Sequence, residues 1–113
     1  MIQIKRVYED YATADGYRIL VDRLWPRGIS REKGRIDEWI KEIAPSNELR
    51  KWFNHDPEKY PAFVKKYKAE LADKDDILEA LRKKAKKEKI TLLYGSRDLV
   101  HNQAKVLMDM LRS

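Results

Sequence analysis

The chain has 113 residues, of which 42% are apolar and 39% are charged, and this size and composition fit one compact domain. It has no cysteine and only two histidines. A disulfide framework, a thiolate nucleophile and a cysteine-based zinc site are therefore excluded, and we expect neither a metal nor a cofactor. The apolar runs are short and Met1 leads into charged residues, so we expect no membrane span, no secretion signal and a cytoplasmic location.

Basic residues exceed acidic ones by 25 to 19, and the resulting net charge of +6 favours anionic partners. The densest basic stretch, Arg82–Lys89, follows Leu78 and Leu81 at helical spacing. We interpret this stretch as the solvated face of a helix, and contact with a nucleic-acid backbone is the alternative. A high content of lysine and glutamate is also typical of thermophile surfaces.

Two predicted strands open the chain. Apolar residues alternate or cluster from Ile2 to Tyr8, and Tyr17–Arg23 centres on a branched apolar run typical of a buried strand. The link between them, Glu9–Gly16, is shorter than a crossover helix requires. If the strands are neighbours we expect them to be antiparallel, with Asp15–Gly16 in the turn, whereas a parallel arrangement requires that they not be adjacent.

The period of the apolar residues then becomes helical. Between Ile36 and Ile43 they fall at i, i+3, i+4 and i+7, which predicts a short amphipathic helix that ends before Pro45. Ser46 is the predicted N-cap of a second helix that extends through Phe53.

Further helices are predicted in the second half of the chain. Asp56 can cap a turn that begins at Pro57, and the main helix is expected to begin near Pro61. The apolar side chains that this helix would bury are Phe63, Val64, Tyr67 and Leu71. Asp76 with Glu79 resembles a capping box for the helix that follows.

The run Ile90–Tyr94 is too short for a buried helix and predicts a central strand. After the polar turn Gly95–Asp98 we expect a final helix that buries one face from Val100 to Leu111. The chain is thus predicted to be an α/β protein, with a small sheet of about three strands covered by about five helices. We expect residues 1–113 to form a single domain, since every segment has an apolar face that needs the others.

Ligands of α/β sheets collect beyond the carboxyl ends of strands, and the first candidate site follows the second strand. Asp22, Arg23, Trp25 and Arg27 combine a carboxylate, two guanidinium groups and an indole within one short stretch. Arginine forks suit phosphate or carboxylate oxygens, and the indole offers a flat apolar face. The alternative is that Asp22 pairs with one arginine while Trp25 fills the core.

The second candidate site is Gly95–Asp98, where the predicted strand gives way to the final helix. Free amides of a first helical turn, the hydroxyl of Ser96 and the guanidinium of Arg97 would converge on an anion, as in a minimal phosphate cradle. The alternative is that Ser96 or Asp98 only caps the helix. His101 and Asn102 are expected in the first turn of that helix, within reach of the same pocket.

Three side chains are candidates for acid–base chemistry: His55, His101 and Asp22. A structural hydrogen bond is the alternative role for either histidine. Ser96, His101 and Asp22 could be written as a triad, but no nucleophile elbow accompanies them, so hydrolase chemistry of that type is disfavoured.

Four stretches between Asp22 and Asn102 resemble one family, and the resemblance covers nearly the whole chain. They are Asp22–Gly28 (DRLWPRG), Asp37–Trp39, Ala44–Asp56 (APSNELRKWFNHD), and Thr91–Asp98 with His101-Asn102. They resemble the YeaO-like branch of a bacterial and archaeal family of domains of unknown function. The resemblance implies a compact α/β fold but no substrate. It also implies a polar site built from Asp22, Arg23, Trp25, Arg27, His55, Arg97, His101 and Asn102.

The leading hypothesis is a cationic pocket between the ends of the second strand and of Ile90–Tyr94, which binds a phosphate-bearing or carboxylate small molecule such as a nucleotide. The ligand-binding candidates are Arg23, Trp25, Arg27, Ser96, Arg97 and Asn102. If the protein is an enzyme, a histidine would transfer the proton and Asp22 would position it. The alternatives are a nucleic-acid-binding module that uses Arg82–Lys89, and a structural protein in which the polar residues form a buried network.

Overall fold

Four parallel strands form one sheet in the computed structural model, which describes residues 1–113. The strands are β1 (Ile2–Arg6), β2 (Tyr17–Leu20), β3 (Glu38–Trp39) and β4 (Ile90–Tyr94). Their order across the sheet is β1-β4-β2-β3, and every neighbouring pair is parallel. The predicted α/β class is confirmed, with one more strand than the expected three.

The central strand β4 lies between β1 and β2, and all five of its residues are buried. Ile90 faces Ile2 on one side and Tyr17 on the other. The predicted central strand is therefore confirmed. The first two strands are not neighbours and run parallel, which is the second of the two expected arrangements, because both use β4 as their hydrogen-bonding partner.

Five α-helices and four short 3₁₀ turns complete the chain. The helices are α1 (Arg31–Gly34), α2 (Asn47–Phe53), α3 (Tyr60–Glu70), α4 (Asp75–Lys87) and α5 (Gln103–Arg112). The 3₁₀ turns are Thr13–Asp15, Lys41–Ile43, Pro57–Lys59 and Leu71–Asp73. None of these helices combines the length and apolar character that crossing a membrane requires.

Two of the predicted helix caps are confirmed. The hydroxyl of Ser46 accepts a hydrogen bond from the amide of Leu49 at 3.1 Å and caps α2. The carboxylate of Asp56 accepts one from the amide of Glu58 at 3.0 Å and caps the turn that contains Pro57. The helix α3 then begins beside the predicted position, with its proline in the first turn.

The prediction of a helix between Ile36 and Ile43 is wrong. Most of this segment is extended and pairs with the free edge of β2, where the Ile40 amide donates to the Leu20 carbonyl at 3.1 Å. A short amphipathic segment has little helical stability of its own, whereas the exposed edge of a buried strand offers backbone partners. Only the last three residues before Ala44 form a 3₁₀ turn.

Two other expectations about helix ends are also wrong. The helix α4 begins at Asp75, and no side chain caps it, so the capping box of Asp76 with Glu79 does not form. The helix α5 begins later than predicted, with Asn102 as its N-cap. Val100 precedes that helix and is exposed rather than buried.

The two faces of the sheet are covered differently. On one face, Ile19, Ile90, Leu92 and Tyr94 join the main core with the apolar sides of α2, α3, α4 and α5. The opposite face is smaller and is covered by the irregular segment between β2 and β3. Its apolar residues are Val7, Leu20 and Leu93, with Trp25, Ile29, Ile36 and Trp39 packed against them.

The same opposite face carries a buried ion pair, which the sequence patterns do not single out. Arg18 and Asp15 are 1% and 2% exposed, and the Arg18 guanidinium donates a hydrogen bond to the Asp15 carboxylate. Arg18 also donates to the carbonyl of Gly34 at 2.9 Å, while the ammonium of Lys5 lies 3.1 Å from Asp15. Each buried charge thus has a partner of opposite sign. The hydrogen bond from Arg18 to Gly34 also joins β2 to the segment that follows it.

Asp15→Ala should lower the free energy of unfolding by about 3 to 5 kcal/mol, because it leaves the Arg18 guanidinium buried without a carboxylate. Urea denaturation measures this loss. The matched control is Asp10→Ala, since Asp10 is exposed. Equal stability of the two variants would show that the buried pair does not support the fold.

Candidate functional site

A cleft of about 870 Å³ opens at the carboxyl ends of β2 and β4. Residues 22–27, which follow β2, and residues 95–98, which follow β4, form two of its walls. The second half of α2 and the start of α5 complete it. This position is the one where parallel α/β sheets bind ligands, because the strand ends and their loops meet there.

Every predicted site residue except Asn102 lines this cleft. Asn102 is 1% exposed, and its side-chain oxygen accepts a hydrogen bond from the Lys105 amide at 2.9 Å. Its side-chain nitrogen donates to the carbonyl of Asp98 at 3.0 Å. Asn102 therefore caps α5 and holds the loop before it, instead of facing a ligand.

Asp22 joins the ends of three elements. Its carboxylate accepts one hydrogen bond from the amide of Gly95 at 2.8 Å and another from the side chain of Gln103 on α5. Burial raises the pKa of Asp22 to about 6, although the bonds from Gly95 and Gln103 and the charge of Arg50 act in the opposite direction. This carboxyl group therefore changes charge close to neutral pH.

Arg23 and Trp25 line the cleft and also hold its walls. Arg23 donates hydrogen bonds to the carbonyls of Pro45 at 2.9 Å and Ala44 at 3.2 Å. The indole of Trp25 donates to the carbonyl of Ile29 at 2.6 Å. The indole ring also meets the Trp39 ring edge-on, with centroids 5.2 Å apart. These contacts position the segment after β2 against the loop before α2.

The loop after β4 is tied together by its own side chains. The hydroxyl of Ser96 accepts a hydrogen bond from the Asp98 amide at 3.1 Å. The Asp98 carboxylate accepts bonds from the amides of Val100 at 2.9 Å and His101 at 2.8 Å. Because α5 begins only at Gln103, Gly95–Asp98 does not lead directly into the predicted first helical turn. The amides of Asp98, Val100 and His101 donate hydrogen bonds within the loop. The exposed Arg97 remains the cationic group of the loop.

His101 is oriented by the same loop. Its Nδ1 atom lies 2.9 Å from the Asp98 carboxylate, and its ring meets the Tyr60 ring edge-on at 5.1 Å between centroids. Hydrogen bonds from the amides of His101 and Val100 lower the pKa of Asp98, so this carboxyl group stays ionised at neutral pH. With Nδ1 engaged, Nε2 is the ring nitrogen left for a ligand.

His55 lies on the rim, in a strained segment. Asn54 and His55 follow α2 with φ angles of 46° and 56°, which place two consecutive non-glycine residues in the left-handed region. Such backbone costs free energy and persists where the surrounding structure holds it, often at functional sites. The strain turns the chain sharply after Phe53 and leaves the His55 side chain exposed beside the cleft.

The cleft is cationic. The basic side chains that line it are Arg23, Arg27, Arg50, Lys51 and Arg97. None of the five forms a salt bridge, and the only carboxylates in the lining are Asp22 and Asp98. The predicted alternative in which Asp22 pairs with Arg23 or Arg27 is therefore not observed.

The polar residues of this cleft that sequence reasoning missed include Arg50, Lys51 and Gln103. Arg50 and Lys51 are on the exposed side of α2, and they fall within the Ala44–Asp56 stretch that carries the family resemblance. Two adjacent basic residues on an exposed helix face carry no local sequence pattern that distinguishes a binding site from an ordinary solvated surface. Only the packing of α2 beside the strand ends brings these charges into the cleft.

The raised pKa of Asp22 predicts that the stability of the fold falls as the pH rises toward neutrality. The folded protein holds a proton on Asp22 up to about pH 6, whereas the unfolded chain releases it near the ordinary value of 3.8. The carboxylate therefore costs the fold up to about 3 kcal/mol, and this cost develops as the pH rises between those two values. Asp22→Asn should remove the cost and gain stability relative to wild type as the pH rises from about 4 to 7.

Urea denaturation at several pH values measures this difference. The matched control is Asp109→Asn, which changes an exposed carboxylate on α5. Its difference from wild type should vary much less with pH. If Asp22→Asn shows the same flat difference, Asp22 does not titrate near neutrality.

Comparison with known proteins agrees with the resemblance seen in the sequence. The model of a family described as the inactive DUF488-N3 subclade matches residues 1–113. The chain is 51% identical to the uncharacterized protein YeaO of Escherichia coli over 112 residues, which cover 99% of this chain and 97% of YeaO. It is 40% identical to the uncharacterized protein Rv3073c of Mycobacterium tuberculosis over 110 residues, which cover 97% and 92% of the two chains. No solved structure matches the chain. The chain therefore belongs to the DUF488 family, as a YeaO-like member of its inactive DUF488-N3 subclade.

Proposed function

We propose that this protein binds a small anionic molecule, one that carries a phosphate or carboxylate group such as a nucleotide, in the cleft at the carboxyl ends of β2 and β4. The observation that carries the proposal is the set of five cationic side chains in the lining, none of which has a carboxylate partner. Unpaired cations around a concave surface raise the local concentration of anions.

The size of the cleft supports a small-molecule ligand. Its volume of about 870 Å³ falls within the usual range of small-molecule sites, roughly 300 to 1,000 Å³. Arg27, Arg50, Lys51 and Arg97 are exposed, so each is free to reorient toward a ligand. A ligand that covers them would strengthen each charge-assisted hydrogen bond by excluding water.

The geometry refines the roles of the candidate residues. Arg27, Arg50, Lys51 and Arg97 are proposed to hold the anion, whereas the Arg23 guanidinium is already engaged by carbonyls. The rings of Trp25 and Tyr8 supply apolar surface, since both line the cleft. His55 and His101 are proposed to orient the ligand from the rim.

The proposed role is binding without turnover. The family model that matches the chain is described as an inactive subclade. The pairing of His101 with Asp98 could also serve acid–base catalysis. In the proposed binding role, the same pairing fixes the ring so that Nε2 meets the ligand.

The nucleic-acid alternative has weaker support from the geometry. Within Arg82–Lys89, Arg82 lies 3.2 Å from Glu79 and also donates a hydrogen bond to the carbonyl of Met110. Lys84 lies 3.3 Å from Glu88. Part of the positive charge on this face is therefore balanced within the protein, whereas the cations of the cleft are not.

Lys51→Gln and Arg97→Gln should each weaken the binding of AMP by about tenfold, because each removes a charged hydrogen-bond donor from the ligand. Isothermal titration calorimetry at low salt measures the affinity. Lys86→Gln is the control, since Lys86 is exposed on α4 and does not line the cleft. Its affinity for AMP should equal that of wild type.

The same variants test the nucleic-acid alternative with a short single-stranded oligonucleotide. If Lys86→Gln weakens oligonucleotide binding, while AMP does not bind to wild type, then the basic face of α4 is the binding site and the cleft proposal fails. A steep dependence of the oligonucleotide affinity on salt would accompany that result.

A further inference from the structure

One carboxylate in the cleft would weaken the binding of most anions. Asp22, a carboxylate, lies in the lining among five cations. It forms no salt bridge with any of them, so its charge is not neutralised by a partner in the protein. A fully deprotonated anion seated against this group would meet electrostatic repulsion.

The hydrogen bonds of Asp22 leave it able to contact a ligand. One carboxylate oxygen accepts from the Gly95 amide and the other from the Gln103 side chain. Each carboxylate oxygen has room for about two hydrogen bonds, so both oxygens can accept another. Because Asp22 lines the cleft, a ligand that carries a proton on an oxygen can supply that bond.

Few charged or titratable groups face Asp22 from the surrounding elements. From α2, the charge of Arg50 acts on Asp22 and favours its ionised form. From α3, the phenol of Tyr67 feels the charge of Asp22 and donates its own hydrogen bond to the carbonyl of Ile43. The loop after β4 and α5 contribute the neutral donors Gly95 and Gln103. Apart from these two neutral donors, no group of the protein donates a hydrogen bond to Asp22, so a proton on the ligand has no competitor there.

We propose that Asp22 selects for an oxyanion with which it can share a proton, so that the cleft takes inorganic phosphate or a phosphomonoester and rejects sulfate, carboxylates and phosphodiesters. This inference rests on the proposed function and names the ligand class of the same site. Sulfate and phosphate have nearly the same size and shape, but sulfate carries no proton at neutral pH. Sulfate would therefore place an oxygen lone pair against the lone pairs of Asp22.

The phosphate class fits the site for a second reason. The second pKa of a phosphomonoester is about 6, and burial raises the pKa of Asp22 to about 6. Two groups of similar acidity can hold one proton between them, and the pair then titrates as a unit. A phosphodiester has no such proton, which would separate a free phosphomonoester from a nucleic-acid backbone.

The decisive experiment compares phosphate and sulfate at pH 7 and equal ionic strength, by calorimetry on wild type, Asp22→Asn and Asp109→Asn. Attraction by the cations alone would favour sulfate, which carries the larger charge. We expect wild type and Asp109→Asn to bind phosphate at least tenfold more tightly than sulfate. Asp22→Asn should lose this preference mainly by gaining affinity for sulfate, because its amide can donate a hydrogen bond.

Further probes distinguish the sources of the phosphate group. Inorganic phosphate, AMP and cyclic AMP represent the free anion, a phosphomonoester and a phosphodiester. Both AMP and inorganic phosphate should bind, the tighter one identifying the source, and cyclic AMP should bind at least tenfold more weakly than AMP. Equal binding of AMP and cyclic AMP would overturn the inference.

Wild type alone provides a test that needs no variant. As the pH falls through about 6, Asp22 gains a proton and can donate a hydrogen bond. The affinity of the wild-type protein for sulfate should therefore rise several-fold between pH 7.5 and pH 5. Asp22→Asn should show a much smaller rise. Only the difference between the two proteins counts, because they share every other titratable group.

Different results would overturn the selection by Asp22 and the binding of anions in the cleft. If phosphate and sulfate bind wild type equally, or if the preference for phosphate persists in a folded Asp22→Asn, Asp22 does not select the ligand, although the cleft still binds anions. If none of the probes binds wild type, the cleft is not an anion site and both proposals fail. Thermal unfolding of Asp22→Asn verifies that the variant is folded.

Discussion

The position of β4 between β1 and β2 is the constraint on which the rest of the structure depends. A strand near the end of the chain pairs with two strands near its beginning, and all five of its residues are buried. Because the pairing is parallel, the chain must cross over the sheet, and α2, α3 and α4 cover one face as it does so. The same pairing places the carboxyl ends of β2 and β4 side by side, where the bond between Asp22 and Gly95 joins them.

Two aspartates show how burial can serve different ends in one fold. Asp15 is buried with Arg18 and Lys5, so its charge is balanced and its contacts hold the segment after β2 in place. Asp22 is mostly buried as well, but its partners are neutral donors and no cation pairs with it. An unbalanced carboxylate is costly in a purely structural role. The proposed selection of a protonated oxyanion gives this carboxylate a functional role.

Some elements could be predicted because their signals are local. The branched run of Ile90–Tyr94 indicated a buried strand, and the side chains of Ser46 and Asp56 indicated caps that need only nearby amides. The segment Ile36–Ile43 has a helical period but pairs with the edge of β2 instead. Its period was a weak signal, because a helix of that length depends on its surroundings, and the partner that decided its conformation lies elsewhere in the sequence.

The sequence by itself determined the α/β class, the absence of thiol chemistry, most of the polar residues of the cleft and the membership of a YeaO-like family. These depend on residue types and on patterns within a few positions of one another. Only the tertiary structure decided the strand order, the use of Asn102 as a cap and the entry of Arg50 and Lys51 into the cleft. It also decided that Asp22 lies without a cationic partner. The reason is physical, since burial, hydrogen-bond partners and the distance between charges are set by contacts between segments far apart in the chain.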